Sequence, residues 1–261
     1  MHRTFAVATL ASLLLGGVAQ SQSASAQTVA ALVGDDTLAM VDVGAGKITK
    51  TMKIAGVSKI VGIDVRPADG MLYALSADGS VYTIDAMGKP MLKSKLEKMP
   101  PKDSMTTVDF NPVADRMRVI GSDGTNLRAN VDDGKVTIDG MLSFAEGDMH
   151  KGETPKIVAG AYTNLMKGAK ETVLYDVDAT IGALIKQSPP NDGKLSAVGK
   201  FGVQAKSYAF DIVAMGEKNE GFLMADDTLY SVSLETGKAT MLKKIAGVTG
   251  PVRDIAVLPA M

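Results

Sequence analysis

A short β-like segment recurs five times along the chain, at intervals of about 45 to 50 residues. The five segments are VGIDVRP from Val61, TVDFNP from Thr107, VAGAYTN from Val158, YAFDIVA from Tyr208 and VRDIAVLP from Val252. A four-stranded blade that repeats around a central axis has this period. The spacing therefore predicts an all-β protein in which each segment is the first strand of one propeller blade.

The two ends of the chain complement each other. The segment from Val252 has no strand-like run after it, whereas residues 29–34, 36–43 and 47–54 are three such runs with no first strand before them. Joining the two ends completes a fifth blade and leaves no free sheet edge at the seam. We therefore predict a five-bladed β-propeller, closed by pairing of the C-terminal strand with the N-terminal strands.

Glycine-containing turns punctuate the predicted strands. Asp and Gly tolerate the positive φ angles of tight hairpins, so each Asp-Gly pair predicts a chain reversal and the set predicts an antiparallel meander. Only residues 179–186 have a helical pattern. The six pairs are Asp69-Gly70, Asp78-Gly79, Asp123-Gly124, Asp133-Gly134, Asp139-Gly140 and Asp192-Gly193.

The first 26 residues have the pattern of an export signal. A basic start at His2 and Arg3 is followed by an apolar stretch at 5–19, and Ala24 and Ala26 supply the small residues of a cleavage site. We expect a single mature domain at 27–261, located in the periplasm or secreted. No later segment approaches the length of a membrane-spanning helix, which is about 18 apolar residues or more.

Composition narrows the classes of function. The formal net charge is -1, with 22% charged residues, so a phosphate-tracking surface for nucleic acid is not expected. The chain contains no Cys, which removes disulfides, thiolate nucleophiles and Cys-metal sites. After the predicted signal only His150 remains, so a His-rich metal site is not available within one chain. We expect His150 to be a solvated surface residue, and we predict no organic cofactor.

Several motifs together resemble a known family. They are DVRPADGMLY from Asp64, DFNPVADRMRV from Asp109, NLRAN from Asn126 and PPNDG from Pro189. The sequence is similar to an uncharacterised family of exported bacterial proteins, a domain of unknown function with a β-propeller-like repeat. The resemblance covers essentially all of the chain after residue 26. It implies the propeller fold and carries no activity with it.

Four of the five predicted first strands carry an acid at the corresponding place, namely Asp64, Asp109, Asp211 and Asp254, where the third has Ala161. First strands of a propeller surround the axial channel, so these carboxylates predict a binding site for a hard cation such as Ca²⁺. The other interpretation is structural: each Asp accepts hydrogen bonds from backbone N–H groups in a neighbouring turn. Repetition in several blades favours the structural interpretation.

A second candidate site is cationic. Arg forks hold carboxylates or sulfates through two hydrogen bonds. The candidate residues, in or beside the repeated motifs, are Arg66, Asn111, Arg116, Arg118 and Arg128. Asp115 precedes Arg116 directly, so internal pairing is the competing interpretation.

The methionines do not indicate a site for a soft metal. They are dispersed along the chain, and packing in the core explains such positions better. The Met residues at predicted core positions are Met40, Met71, Met117, Met224 and Met241.

The sequence favours a binding protein over an enzyme. It contains neither a G-x-S-x-G elbow nor a phosphate loop. We expect a noncatalytic exported propeller that holds a small ligand, an envelope component or another protein. The irregular loops at 98–105, 143–155 and 188–194 are the expected binding elements. The alternative is a cation-dependent hydrolase or lyase that uses the four acids in the central channel.

Overall fold

A computed structural model describes residues 27–57, 59–215 and 218–258. The predicted export signal at 1–26 lies outside these residues. Within them the chain is built of 21 β-strands and one short 3-10 helix at Pro190–Asp192. No helix in this part of the chain is long and apolar enough to cross a membrane.

The strands form five blades. The chain begins with β1 (Thr28–Val33), β2 (Thr37–Asp42) and β3 (Lys47–Lys53). Blade 1 contains β4 (Ile60–Val65), β5 (Leu72–Ser76), β6 (Ser80–Ile84) and β7 (Pro90–Lys95). Blade 2 contains β8 (Thr106–Asn111), β9 (Arg116–Gly121), β10 (Asn126–Ala129) and β11 (Val136–Ile138).

The second half of the chain repeats the pattern. After β12 (Ser143–Phe144), blade 3 contains β13 (Ile157–Tyr162), β14 (Leu174–Asp178), β15 (Ala183–Gln187) and β16 (Lys194–Lys200). Blade 4 contains β17 (Tyr208–Met215), β18 (Lys218–Ala225), β19 (Thr228–Val232) and β20 (Ala239–Lys244). The last strand is β21 (Val252–Leu258). The additional strand β12 pairs in parallel with β16 at the outer edge of blade 3.

The last strand completes the blade that the first three strands begin. Sheet order in blade 5 is β21-β1-β2-β3, and β1 pairs antiparallel with β21 in a register that places Val29 opposite Val257 and Ala31 opposite Ile255. The predicted all-β, five-bladed propeller and its closure by both chain ends are therefore confirmed. Closure in this way pairs the edge of the N-terminal sheet that would otherwise be free.

The core lies between blades. The inner strands β4, β8, β13, β17 and β21 are neighbours in that order around the axis, and β21 returns to β4. Hydrophobic clusters of the described residues fill the five spaces between adjacent blades. In the space between blades 1 and 2, for example, Tyr73 packs edge-to-face on Phe110 with ring centroids 5.2 Å apart. Each blade is therefore held by both of its faces.

The prediction of a helix at 179–186 is wrong, because these residues form a turn and part of β15. Asp178 ends β14, and its Oδ1 accepts hydrogen bonds from the N–H groups of Thr180 and Ile181, at 2.7 and 3.2 Å. Gly182 then takes a φ of +61°, which closes a hairpin into β15. Because the Asp178 side chain accepts these N–H groups, the segment forms a turn and not the first turn of a helix.

Two further expectations need correction. Met117 and Met224 are buried as predicted, but Met71 is 40% exposed beside a turn and Met241 is 62% exposed on the outer strand β20. Outer strands are less covered by neighbouring blades than inner strands, so an apolar residue there is not part of the core.

One of the six predicted Asp-Gly turns is also wrong. The glycine has a positive φ in five of the pairs, but Gly140 of Asp139-Gly140 does not.

Candidate functional site

The four repeated acids form a buried belt around the axis. Asp64, Asp109, Asp211 and Asp254 lie on β4, β8, β17 and β21, and each is almost completely buried. Blade 3 has Ala161 in the matching place on β13. The prediction that these residues face a common central region agrees with this placement. We call these four residues the carboxyl belt.

Each belt residue is bonded to the inner strand of the next blade. Asp64 Oδ2 accepts a hydrogen bond from the N–H of Phe110 at 2.6 Å, and Asp109 Oδ1 accepts one from the N–H of Tyr162 at 2.9 Å. Blade 4 is tied to blade 5 in the same way, because Asp211 Oδ2 accepts from Val257 at 2.6 Å. The donors are in neighbouring strands, not in neighbouring turns.

Three belt carboxyls also lie close to one another. Asp64, Asp109 and Asp211 each offer one carboxylate oxygen, and these oxygens lie within 4.8 Å of one another. Burial and the nearby Asp211 raise the pKa of Asp64, and burial with Asp64 and Asp211 raises the pKa of Asp109. Burial is also the main cause of the raised pKa of Asp254. Bound protons or a cation would each relieve the repulsion between these groups.

The belt could contribute three oxygens to a cation. Asp64 and Asp211 each already accept two backbone hydrogen bonds, one from the next blade and one from the residue that follows them. Ca²⁺ takes about six to eight oxygen ligands, so a site here would need several from elsewhere. The Ca²⁺ site predicted at the four acids remains a prediction.

Arg66 joins blade 1 to blade 2. Its Nε and Nη2 donate to the two carboxylate oxygens of Asp115 at 2.8 and 2.7 Å, while Nη1 and Nη2 donate to those of Asp132 at 3.1 and 2.8 Å. Nη1 also donates to Tyr73 Oη at 3.2 Å. The Arg66 side chain is only 8% exposed. Its fork is therefore occupied by carboxylates of the protein itself.

Arg118 joins blade 2 to blade 3. Its Nη1 donates to Asp139 Oδ2 at 2.6 Å and to Asn126 Oδ1 at 2.8 Å, and its Nη2 donates to Asn191 Oδ1 at 2.8 Å. Its Nε donates to Tyr162 Oη at 3.1 Å. A guanidinium that is 2% exposed thus has acceptors in both blades, which offset the cost of burying its charge.

The remaining predicted polar residues also have internal partners. Arg128 Nε and Nη2 donate to the two oxygens of Asp139 at 2.7 and 2.9 Å. Asn111 Oδ1 accepts from two backbone N–H groups of the turn that follows it. Arg116 Nη1 donates to the carbonyl of Asp115 at 2.8 Å. The structure therefore does not bring Arg66, Arg116 and Arg128 together as one open cationic cluster.

Six partners in these clusters are not among the residues predicted from sequence. They are Tyr73, Asn126, Asp132, Asp139, Tyr162 and Asn191. Asn126 and Asn191 do lie in the NLRAN and PPNDG motifs, so the motifs themselves were the available signal. Asn126 Nδ2 donates to the carbonyl of Pro190 at 3.0 Å, which further fixes the 188–194 loop against blade 2. The loop joins β15 to β16 within blade 3 and contacts blade 2.

The 143–155 loop holds the only histidine of the described residues. His150 Nδ1 lies 3.1 Å from Glu153 Oε2, and its ring lies 5.4 Å from that of Phe144. The imidazole is 16% exposed, so the prediction of a solvated surface position is wrong. The reason is that β12 carries Phe144 inward and gives the loop an apolar surface to fold on.

A pocket of about 240 Å³ opens where the inner strands begin. All five blades contribute to it, through Val61, Thr106, Val158, Tyr208 and Val252. The 98–105 loop forms one wall and is held by a hydrogen bond from Ser104 to Asp123 of blade 2. Its role as a binding loop remains a prediction. We call this opening the basic mouth, because its lining includes the cations Lys59, Lys102, Lys206 and Arg253 and the single acid Asp103.

The opposite end of the channel has different chemistry. A pocket of about 330 Å³ lies at the ends of β4, β17 and β21. Its lining includes Val65, Met166, Val213 and Leu258, with Lys167 as its charged residue. We call this opening the apolar mouth. The two ends of the channel therefore offer different environments to a ligand.

The chain matches the model of a known protein family over most of its length. The family model of DUF4394, a domain of unknown function, matches residues 23–256. The chain belongs to the DUF4394 family. This confirms the family resemblance of the motifs. In this DUF4394 protein, all four motifs supply residues to the hydrogen bonds of Arg66 and Arg118.

Three solved structures similar to this DUF4394 protein come from Bacteroides species. A protein of unknown function from Bacteroides thetaiotaomicron is 13% identical with a TM-score of 0.53, covering 88% of this chain and 64% of its own. One of unknown function from Bacteroides caccae is 12% identical with a TM-score of 0.44, covering 82% and 71%. An auxiliary nutrient binding protein from Bacteroides thetaiotaomicron is 15% identical with a TM-score of 0.46, covering 71% and 50%.

These likenesses support the fold at most. The chain spans between 50% and 71% of the length of the three structures. Only the TM-score of 0.53 supports a shared architecture, and at 13% identity it carries no activity. No curated protein matches the chain in sequence. Function must therefore be argued from the site.

Proposed function

We propose that the protein is a noncatalytic scaffold, exported to the periplasm or beyond, that binds a small ligand at the basic mouth of its channel. The observation that carries this proposal is the pocket of about 240 Å³ to which all five blades contribute. Concave pockets with apolar walls and a few polar groups are the usual ligand sites of proteins. A rigid ring that presents a loop at such a mouth suits binding.

The geometry of the acids favours binding over catalysis. A general acid or base must be able to reach the proton that it transfers. The belt carboxyls are buried and joined to backbone N–H groups of the next blade, as Asp64 is to Phe110 and Asp254 is to Ile63. Their arrangement supports a role in fixing one blade to the next. The alternative of a cation-dependent hydrolase or lyase predicts an activity that a chelator abolishes.

The proposed location depends on the sequence of the first 26 residues. Their basic start, apolar stretch and small residues before Gln27 support export. The test is to express the full chain in a bacterium and to determine the N-terminus of the protein in the periplasmic fraction and the medium. An N-terminus at Gln27 is expected. Retention of the full-length chain in the cytoplasm would contradict export.

Binding at the mouth is tested with a fragment library and methyl NMR. We expect fragment-induced shifts to concentrate on Val61, Val158 and Val252, with few at Val65 and Val213 of the apolar mouth. The Ala77→Trp variant is designed to fill the pocket, since Ala77 lines it from a turn, and should abolish those shifts. Shifts spread evenly over the surface, or unchanged by Ala77→Trp, would contradict the proposal.

A further inference from the structure

We infer that the basic mouth takes a small organic anion, one acidic group on a compact apolar body. This inference rests on the proposed function, because it assigns a ligand class to the same pocket. Three features of the mouth support it: its charge, the partly exposed Arg253 side chain and the apolar residues around the pocket. A neutral or cationic ligand would use neither of the first two features.

The charge of the mouth differs from that of the whole protein. Lys59, Lys102, Lys206 and Arg253 line the pocket with Asp103, and Asp35 pairs with Arg253 from outside the lining. Cations therefore outnumber acids at the mouth, although the chain as a whole has a formal net charge of -1. Four of the protein's cations are thus gathered at one end of the axis. A concave site lined by one sign of charge raises the local concentration of ligands of the other sign.

Arg253 contributes more than charge. Its Nη2 donates to Asp35 Oδ1 at 2.7 Å, which fixes the guanidinium at the rim of the pocket. Its side chain is 36% exposed, so a ligand in the pocket can reach it. A carboxylate, sulfonate or phosphate is the expected partner, because Arg hydrogen bonds with these groups are short and strong.

The apolar residues of the lining indicate that the rest of the ligand, apart from its acidic group, is apolar. Val158, Val252 and Tyr208 are buried residues that reach the pocket, and Pro100 and Met99 line it from the 98–105 loop. These side chains offer contact surface and few hydrogen bonds. The volume of about 240 Å³ is below the roughly 300–1,000 Å³ of pockets for drug-sized ligands, so the ligand is compact. An acid with a short apolar or ring-shaped body fits these limits.

The test compares three probes that share one ring and differ in charge: benzoate, benzamide and benzylamine. Each is titrated into the full folded domain while the methyl signals of Val61, Val158 and Val252 are followed. We expect benzoate to bind at least about tenfold more tightly than benzamide, as a charge-assisted hydrogen bond allows. Benzylamine should bind more weakly than benzamide. The benzoate affinity should fall as NaCl is raised, because salt screens exposed charges.

Variants assign the effect to the mouth. Arg253→Gln and Lys206→Gln should each weaken benzoate binding and leave benzamide binding unchanged. Lys167→Gln removes the same charge from the apolar mouth and should leave benzoate binding as in the parent protein. Thermal unfolding of each variant shows that the fold is retained. The two mouth variants lie on different blades, so a folding defect in one does not remove the test.

The outcomes separate this inference from the proposed function. Equal binding of benzoate and benzamide at the mouth would overturn the anion inference and leave the mouth as a binding site. Benzoate shifts that are confined to the apolar mouth, or that survive both mouth variants, would overturn it as well. If none of the three probes shifts the mouth signals, the inference is again overturned, and the fragment library decides separately whether the mouth binds ligands.

Discussion

Asp254 Oδ2 accepts a hydrogen bond from the backbone N–H of Ile63 at 3.0 Å, across 191 positions of sequence. This contact ties the final strand β21 to β4, the inner strand of blade 1. Within its own sheet β21 pairs with β1, so the C-terminal strand connects the start of the chain to the first complete blade. Closure of the ring therefore depends on one strand at the end of the chain.

Removal of that strand should unfold more than the strand itself. We expect deletion of residues 252–261 to abolish cooperative thermal unfolding and to expose the amides of β1 to hydrogen exchange, because β1 loses its inner partner. Deletion of residues 259–261 alone is the control and should preserve the melting temperature. A shortened protein in which β1 stays protected would contradict the role assigned to β21.

The belt carboxyls should be needed as acceptors and not as charges. Asp109→Ala leaves the N–H of Tyr162 without its acceptor, so we expect a loss of about 1–3 kcal/mol in the free energy of unfolding. Asp109→Asn keeps an acceptor oxygen and should cost clearly less. Chemical denaturation of both variants measures the difference. An equal loss in the two, with cation binding lost as well, would instead support a metal at the belt.

Asp176 should make the protein less stable as the pH rises. It is fully buried, neither carboxylate oxygen has a hydrogen-bond partner among the described residues, and burial raises its pKa to about 8. Arg118 opposes this shift and Asp178 adds to it. The folded state therefore holds a proton that the unfolded chain releases near its ordinary pKa of 3.8. The stabilising contribution is complete below that value and is lost as the pH rises through about 8.

Asp176→Asn tests this pH dependence. We expect the variant to be more stable than the parent at pH 8, by roughly 2 kcal/mol, and to lose less stability between pH 5 and pH 8. The control is Asp133→Asn, which changes an exposed aspartate and should follow the parent curve. Parallel stability curves for the parent and Asp176→Asn would show that the buried carboxyl is not protonated in the folded state.

Arg66 should not be replaceable by lysine. Its planar fork serves two carboxylates at once, and an ammonium group cannot reproduce that geometry. We expect both Arg66→Lys and Arg66→Ala to lower the free energy of unfolding, by about 1.5–3 kcal/mol for the alanine. Thermal and denaturant unfolding measure this. Arg116→Ala, which removes only contacts within its own turn, is the matched control. Full stability of Arg66→Lys would mean that only the charge matters.

The parts of the structure that follow local rules were predictable, and the parts that depend on packing were not. The strands are predicted by alternating apolar residues. Closure of the ring is predicted by the segment from Val252, which looks like a first strand but has no further strands after it. The partners Asp139 and Asn191 of Arg118 lie 52 positions apart and meet only because blades 2 and 3 pack together. Likewise, the cations of the basic mouth come from four separate segments that the ring closure brings to one axis.

The contact between Arg118 and Asn191 should hold the 188–194 loop in place. Asn191→Ala removes the acceptor for Arg118 Nη2, while the bond from Asn126 Nδ2 to the carbonyl of Pro190 remains. Because part of the attachment is lost, we expect faster protease cleavage within the loop and little change in melting temperature. Asp192→Ala, at an exposed neighbouring position, is the control and should be cleaved at the parent rate. Equal cleavage rates for Asn191→Ala and Asp192→Ala would show that the backbone contacts alone fix the loop.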